Sequence, residues 1–164
     1  PKDYFIMVGR LVSYKKFDIA IKAFNELELP LKIIGTGPEI RNLKRLAYSN
    51  VEFLGQIDDK ELARYYRGAK ALVFPQEEDF GIVPLEAMSS GRPVIAYRGG
   101  GAEKTIIEGV TGMFFDTQTS EAIISAVREF NQKKFDPQKC HKQAEEFDVT
   151  KFKEHIISLL NYKL

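Results

Sequence analysis

Short runs of β-branched and other apolar residues alternate along the chain with stretches in which apolar positions recur every three or four residues. Unbroken apolar runs, without the polar alternation of a half-exposed strand, suit strands buried on both faces of a parallel sheet. Strands are therefore predicted at Tyr4–Val8, Leu31–Ile34, Val51–Leu54, Ala71–Phe74, Val94–Tyr97 and Gly112–Phe115, each followed by a segment with helical spacing. The first helical stripe, Ile19, Ala20, Ala23, Phe24 and Leu27, faces the sheet and stops before Pro30, whose ring cannot continue a helix. Pro38, Pro75 and Pro93 fall at element edges. Pro84 falls in the first turn of a helix, where N–H groups lack intrahelical partners in any case. Helices near Ser120–Phe130, Pro137–Glu146 and Thr150–Leu160 follow the last strand. The expected fold is α/β, a Rossmann-like doubly wound parallel sheet of about six strands, in a single domain over residues 1–164.

Composition narrows the function classes. A chain of 164 residues buries roughly 70% of its unfolded surface, so it needs no staple. The single cysteine, Cys140, excludes an internal disulfide and a thiolate cage. His141 and His155, on helices near the C-terminus, add little, so a reducing compartment and no structural metal are expected. Twenty-four basic against twenty-three acidic residues leave a net charge of +1. That is no footprint for nucleic acid or an anionic membrane, and any anion must be met by a local site. No apolar run approaches the ~20 residues that span a bilayer, and no basic leader precedes one. The chain begins at Pro1 and enters a strand by Tyr4, which suggests a piece cut at a linker, with a further domain upstream.

Right-handed crossovers place the loops after the strands along one edge of such a sheet, where ligands bind. The first of these loops, Gly9-Arg10-Leu11-Val12-Ser13-Tyr14-Lys15-Lys16, carries an arginine and two lysines. Arginine offers phosphate a forked pair of charge-assisted hydrogen bonds and lysine a movable point charge, a pairing that can stand in for a metal on a diphosphate. A solvated basic turn is the plain alternative. The second loop, Gly35-Thr36-Gly37-Pro38-Glu39, opens like a dinucleotide fingerprint, but Ile40 stands where the third glycine would fall and no ribose carboxylate follows. An NAD site is therefore rejected. Gly35 and Gly37 either let backbone approach a ligand or simply make the turn.

The richest loop is Pro75-Gln76-Glu77-Glu78-Asp79-Phe80-Gly81-Ile82-Val83-Pro84-Leu85-Glu86-Ala87. A helix start there favours an anion, so backbone around Gly81 to Val83 can receive phosphate or sugar hydroxyls. Complementing the helix dipole accounts for some of Glu77, Glu78 and Asp79. It does not account for Glu86, an acid inside an apolar helix, which is costly to bury without hydrogen-bond partners such as sugar hydroxyls. Asp79-Phe80-Gly81 spells the kinase magnesium motif without the catalytic loop, glycine-rich loop or strand lysine that must accompany it. As a glycosidase pair, Glu78 and Glu86 would stand ~12 Å apart along a helix, beyond the ~9.5 Å limit of inverting hydrolases. Binding fits better than hydrolysis. The fifth strand leads to Tyr97-Arg98-Gly99-Gly100-Gly101-Ala102-Glu103, where a triple glycine could make a plain strand-to-helix turn, but its place beside the preceding loop at the same edge favours contact with a ligand or a partner domain.

Taken in order, these stretches resemble the C-terminal half of glycosyltransferase family four, the retaining GT-B enzymes that use nucleotide-diphosphate sugars. The resemblance rests on Gly9-Arg10-Leu11 with Lys15, Gly35-Thr36-Gly37-Pro38, Val51-Glu52-Phe53-Leu54-Gly55, the Glu78 and Glu86 pair with seven residues between, Gly91-Arg92-Pro93-Val94-Ile95-Ala96, and Gly99-Gly100 before Glu103. It implies that Arg10 and Lys15, beside Gly9, bind the diphosphate, Glu86 the ribose and Glu78 the transferred sugar. Arg10, Lys15 and Glu78 would thus serve the chemical step. Backbone at Phe53, Leu54 and Gly55 would meet the base, with Gly35 and Gly37 close by, and Phe80, Gly81, Ile82 and Val83 would supply backbone contacts. Lys16 and Asp79 stand where many members have glycine. Glu77-Glu78-Asp79-Phe80-Gly81-Ile82-Val83-Pro84, with Pro93-Val94-Ile95-Ala96-Tyr97, looks most like the mannosyltransferase branch that builds surface polysaccharides.

The resemblance implies GDP-mannose as first donor and a UDP-hexose as second, with no cofactor and no metal. It further implies a glycan or lipid-linked acceptor held by an N-terminal domain outside this chain, so that the chain alone transfers no sugar. No nucleic-acid partner is expected. A cytoplasmic location is expected, with peripheral contact at the cytoplasmic membrane face left open for the full-length protein. The competing reading is a non-catalytic sugar-nucleotide or protein-binding module that kept the fold.

Overall fold

The computed structural model describes residues 2–148 of the chain. Six parallel strands, β1 (Phe5–Val8), β2 (Leu31–Ile34), β3 (Val51–Gly55), β4 (Leu72–Phe74), β5 (Val94–Tyr97) and β6 (Gly112–Phe115), lie side by side in the order β3-β2-β1-β4-β5-β6. Between them run a 3₁₀ turn at Ser13–Lys15 and the helices α1 (Phe17–Leu27), α2 (Ile40–Leu46), α3 (Asp59–Gly68), α4 (Ile82–Ser89) and α5 (Ala102–Thr105). Helices α6 (Ser120–Phe130) and α7 (Pro137–Glu145) follow the last strand. The helix expected near Thr150–Leu160, with His155, lies outside the described residues.

Because side chains alternate across a strand, apolar runs in parallel strands supply two cores. Phe5, Met7, Leu31, Ile33, Val73 and Ile95 point to one face and meet Phe17, Ile21 and Phe24 of α1 and Ile123, Val127 and Phe130 of α6. Ile6, Ile34, Leu72, Phe74, Val94 and Ala96 point to the other and meet Tyr66 of α3, Ala87 and Met88 of α4, and Cys140 of α7. Burial pushes the Cys140 thiol up to about 11, the mark of a packed and unreactive side chain. Among the described residues no helix is long and apolar enough to cross a membrane.

Local chemistry sets the helix ends. Asp58 caps α3 by accepting from the Glu61 amide at 2.8 Å, and Asp136 caps α7 by accepting from the Gln138 amide at 2.8 Å just ahead of Pro137. Lys16, before α1, is left-handed at φ 57°, and Glu28 just after it at φ 54°. A side chain there costs about 1 kcal/mol, which explains why glycine would suit the position of Lys16. Strand order reverses between β1 and β4, so the crevice between the loops that follow these two strands is the topological switch point, where open α/β sheets take their ligands.

Candidate functional site

The two loops that flank the switch point are joined by an ion pair. Lys15, on the 3₁₀ turn after β1, places Nζ 3.0 Å from Oε1 of Glu78, in the loop after β4, with side chains 13% and 22% exposed. Glu78 Oε1 also accepts from the Gln76 amide at 3.2 Å. The lysine stem lies over Gly9, where an added Cβ would meet Nζ at 3.1 Å. Arg10 is exposed, and no hydrogen bond or ion pair engages its guanidinium among the described residues. It lines an open cleft of about 480 Å³ with Gly9, Gly35, Thr36, Gly37 and Gln56. Thus Gly9, Arg10, Lys15 and Glu78 gather at one end of the sheet, although Lys15 and Glu78, assigned above to different parts of a donor, hold each other.

Gly35 and Gly37 face backbone. A Cβ on Gly35 would fall 1.9 Å from the Gly9 carbonyl oxygen, and one on Gly37 would fall 2.3 Å from that of Leu11. The strands' loops are stitched together there, with Leu11 N–H donating to Thr36 at 2.9 Å and Gly35 N–H to Gly55 at 2.8 Å. Close loop packing therefore accounts for both glycines, while their outer surface still lines the cleft. Phe53 and Leu54 pack their side chains against the two cores, with Lys44 Nζ 5.9 Å from the Phe53 ring centre. Gly55 ends β3 at φ 70°, opposite a register shift between Ile33 and Ile34.

Gly81 starts α4 at φ 70°, and no side chain caps the helix, so its first N–H groups point outward without a side-chain acceptor. Ile82 turns its side chain to solvent at 63% exposed, Phe80, 47% exposed, sets its ring edge-on to that of Phe147 with centroids 6.3 Å apart, and Val83 leans on the core. The triple glycine after β5 supports this loop from below. Gly101 N–H donates to the Glu78 carbonyl at 2.6 Å, and a Cβ on Gly100 would fall 2.3 Å from that same oxygen. Gly100 and Gly101 thus pack this turn against the loop after β4. Arg98, beside it, is held by Asp116 at 2.7 Å and Glu108 at 2.8 Å.

Glu86 departs from the reasoning that singled it out. Its Oε2 accepts from the Tyr66 hydroxyl of α3 at 2.9 Å, so the fold itself supplies one partner that sugar hydroxyls were needed to provide. Burial pushes its carboxyl above the ordinary glutamate range, with the Tyr66 bond pulling down and Asp59 pushing further up. A carboxyl raised in the folded state helps folding below its unfolded value and loses that help as pH climbs through the folded value. Glu86→Gln abolishes this titration and retains a hydrogen-bonding group. It is expected to melt no lower than the wild type at neutral pH and to lack the loss of stability that the wild type shows as pH rises from the ordinary glutamate value through the raised one. Thermal melts across a pH series check this, and a lower neutral melting point would mean that the ionised carboxylate stabilises the fold.

Tyr66, Gln56, Thr36 and Gln76 were not picked out from the sequence. Gln76 was quoted inside the acidic loop, and its 2% exposure sets it apart only in three dimensions. Tyr66 sits twenty residues from Glu86 on another helix, with no motif to link them.

The family described as Glycosyl transferases group 1 matches residues 1–147. A GDP-mannose-dependent alpha-(1-6)-phosphatidylinositol monomannoside mannosyltransferase of Mycolicibacterium smegmatis is 34% identical over 140 residues, covering 74% of this chain and 37% of that protein. A sulfoquinovosyl transferase of Arabidopsis thaliana is 35% identical over 133 residues, covering 77% of this chain and 26% of that protein. Among solved structures, the apo form of a lipopolysaccharide outer core galactosyltransferase superposes with a TM-score of 0.86 at 21% identity, covering 100% of this chain and 50% of that one. The last likeness concerns the fold. The chain spans about a third of the length of these curated relatives.

Proposed function

The chain belongs to the family of glycosyl transferases group 1, and from that premise we propose that it is the donor-binding half of a retaining GT-B glycosyltransferase that moves a hexose from a nucleotide diphosphate. The observation that carries this reading is the Lys15–Glu78 pair at the switch point, with Arg10, which has no side-chain partner among the described residues, in the loop that carries Lys15. Arg10 and Lys15 take the diphosphate, helped by backbone N–H groups of Gly81 to Val83 at the start of α4. Glu78, released by Lys15, turns to the sugar hydroxyls. Glu86 keeps Tyr66 on one oxygen and offers the other to the ribose. The base lies at the ends of β2 and β3, near Gly35, Gly37 and Phe53 to Gly55.

In the transfer, the bond from the anomeric carbon to the diphosphate oxygen breaks and a bond to an acceptor oxygen forms on the same face. The acceptor proton passes to the departing diphosphate, so this half needs no side-chain base. Arg10 and Lys15 stabilise the negative charge that grows on that leaving group. The acceptor, a glycan or lipid-linked sugar, is held by a second domain whose closure excludes water. We assign GDP-mannose as the first donor, supported by the acidic-loop wording and the mannosyl relative, and a UDP-hexose as the second. The relatives' names span several sugars. A cytoplasmic setting accompanies this reading.

Calorimetry of the chain with GDP-, UDP- and ADP-sugars tests the proposal. One class is expected to bind, with GDP-mannose strongest, and binding of none would overturn it. Two cations already face the diphosphate, and the nearby acids are engaged with hydroxyls or with Lys15. Donor affinity is accordingly expected to survive a chelator within about 2-fold, well under the 1.4 kcal/mol that a tenfold change represents. A large loss on chelation would show that a divalent ion bridges the phosphates.

A further inference from the structure

Among the described residues only three polar side chains are fully buried: Thr105, Thr111 and Gln76. The two threonines bond to backbone within their own turns, Thr105 to the Gly101 carbonyl at 3.2 Å and Thr111 with the Ile107 amide at 2.9 Å. They satisfy local structure. Gln76 is different in kind. At 2% exposure a primary amide is expensive to bury without partners, yet its Nε2 points at a side chain of the site, Glu78 Oε1, at 3.2 Å. The orientation is fixed by chemistry, because a carboxylate only accepts and the amide must present its NH₂.

We propose that Gln76 is a positioning residue that holds the Glu78 carboxylate in place for the transferred sugar once Lys15 has left it for the diphosphate. The inference rests on the donor-site reading above. In the ligand-free chain Glu78 Oε1 is shared by Lys15 at 3.0 Å and Gln76 at 3.2 Å. A diphosphate competes for the lysine, which has a long mobile stem, and cannot compete for the glutamine, which is buried at the end of β4. Oε1 then keeps the Gln76 bond, and Oε2 is left to accept from a sugar hydroxyl. The loop that carries the pair is braced for this. Gln118 Nε2 donates to the Pro75 carbonyl at 2.8 Å on one side of Gln76, and Gly101 N–H donates to the Glu78 carbonyl at 2.6 Å on the other. With the backbone fixed at both flanks, the remaining freedom of Glu78 is its side-chain rotation, which is what the amide restrains. A glutamine reaches the carboxylate from a neighbouring strand-end position, where a serine or alanine would be too short and a glutamate would repel it.

The role predicts a split that general damage to the loop would not produce. Gln76→Met keeps length and apolar packing but removes the donor. It is expected to weaken binding of GDP-mannose by about 3- to 10-fold, the scale of one net hydrogen bond, and to leave GDP within 2-fold. In a Glu78→Ala background Gln76→Met should produce no further loss, because there is no carboxylate left to hold. Calorimetry of the four proteins with both ligands, with melting curves as a check on folding, decides the matter. Equal losses for GDP and GDP-mannose, losses that add to those of Glu78→Ala, or no loss for the sugar nucleotide would each overturn the proposal. If Gln76→Met fails to fold, Gln76→Leu carries the same comparison. Wild-type protein that bound none of the GDP-, UDP- and ADP-sugars would instead overturn the donor-site reading itself, an outcome visible before any variant is made, and where a UDP-hexose is the donor that binds, it and UDP take the places of GDP-mannose and GDP in the comparison.

Discussion

Arg10→Ala is expected to weaken nucleoside diphosphate binding by about 1.5–3 kcal/mol, the range for a hydrogen bond to a charged group. Arg10 is the exposed cation on the cleft wall, and among the described residues its guanidinium has no partner to give up when a phosphate arrives. All of its interaction with the ligand is therefore gain. The effect should shrink as salt rises, since the contact is open to solvent and screened within about 8 Å at physiological ionic strength. Lys15→Ala should cost less than Arg10→Ala, because binding through Lys15 must first open its pair with Glu78 at 3.0 Å. A partly exposed ion pair of that kind is worth up to about 1 kcal/mol, which is subtracted from what the lysine gains on the phosphate. Calorimetry at two salt concentrations separates the variants. Equal losses would mean that opening the Lys15–Glu78 pair costs nothing, and an Arg10→Ala loss under about 0.5 kcal/mol that ignores salt would remove Arg10 from the phosphate site.

The architecture was legible because buried parallel strands write themselves as unbroken apolar runs. Leu31–Ile34, Val94–Tyr97 and Gly112–Phe115 have the bounds read from the sequence. The others differ by one residue at an end for reasons of pairing. The ladder between β2 and β3 slips after Ile33 and pairs Ile34 with Gly55, so β3 runs one residue past Leu54. Ala71 gives its carbonyl to the Ile6 amide at 3.1 Å, yet β4 begins at Leu72, the residue in register with Ile6. The candidate loops were also legible, since alternation of strand and helix dictates which loops share an edge.

What escaped was the direction in which particular side chains spend their bonds. A sequence shows Lys15 and Glu78 as a cation and an acid 63 positions apart. Only the order β1 next to β4 makes them neighbours. The need of Glu86 for a hydrogen-bond partner was legible, but that partner, Tyr66, belongs to α3, and no periodicity joins the two helices. Glycine is the least legible residue of all, because it permits close approach without saying of what. In Gly35, Gly37 and Gly101 the approaching group is the protein's own backbone. The loops of this edge are thus packed as tightly as a core, which gives a rigid floor to a site whose upper side is open.

Rigidity of that floor has a measurable consequence at Gly35. Its Cα lies so near the preceding loop that a Cβ would stand 1.9 Å from the Gly9 oxygen and 2.9 Å from its carbonyl carbon, both backbone atoms. Neither side can retreat easily, because Gly9 N–H is bonded to Ile34 at 3.0 Å and Gly35 N–H to Gly55 at 2.8 Å. The backbone at Gly35 is also strained for any side chain, at φ 133°. Adding about 1–3 kcal/mol for that conformation to about 1–3 for overpacking, Gly35→Ala is expected to destabilise by roughly 2–6 kcal/mol. That is a large part of the 5–15 kcal/mol that typically separates folded from unfolded states. Gly55→Ala is the internal control. It shares a positive φ, 70°, but its Cβ would meet nothing within 4 Å. It should therefore cost only the conformational term, about 1 kcal/mol. Urea denaturation of the two variants tests the difference directly. If Gly35→Ala proved no less stable than Gly55→Ala, the two loops would have to be able to part without penalty, and the packed floor beneath Arg10 would not exist as described.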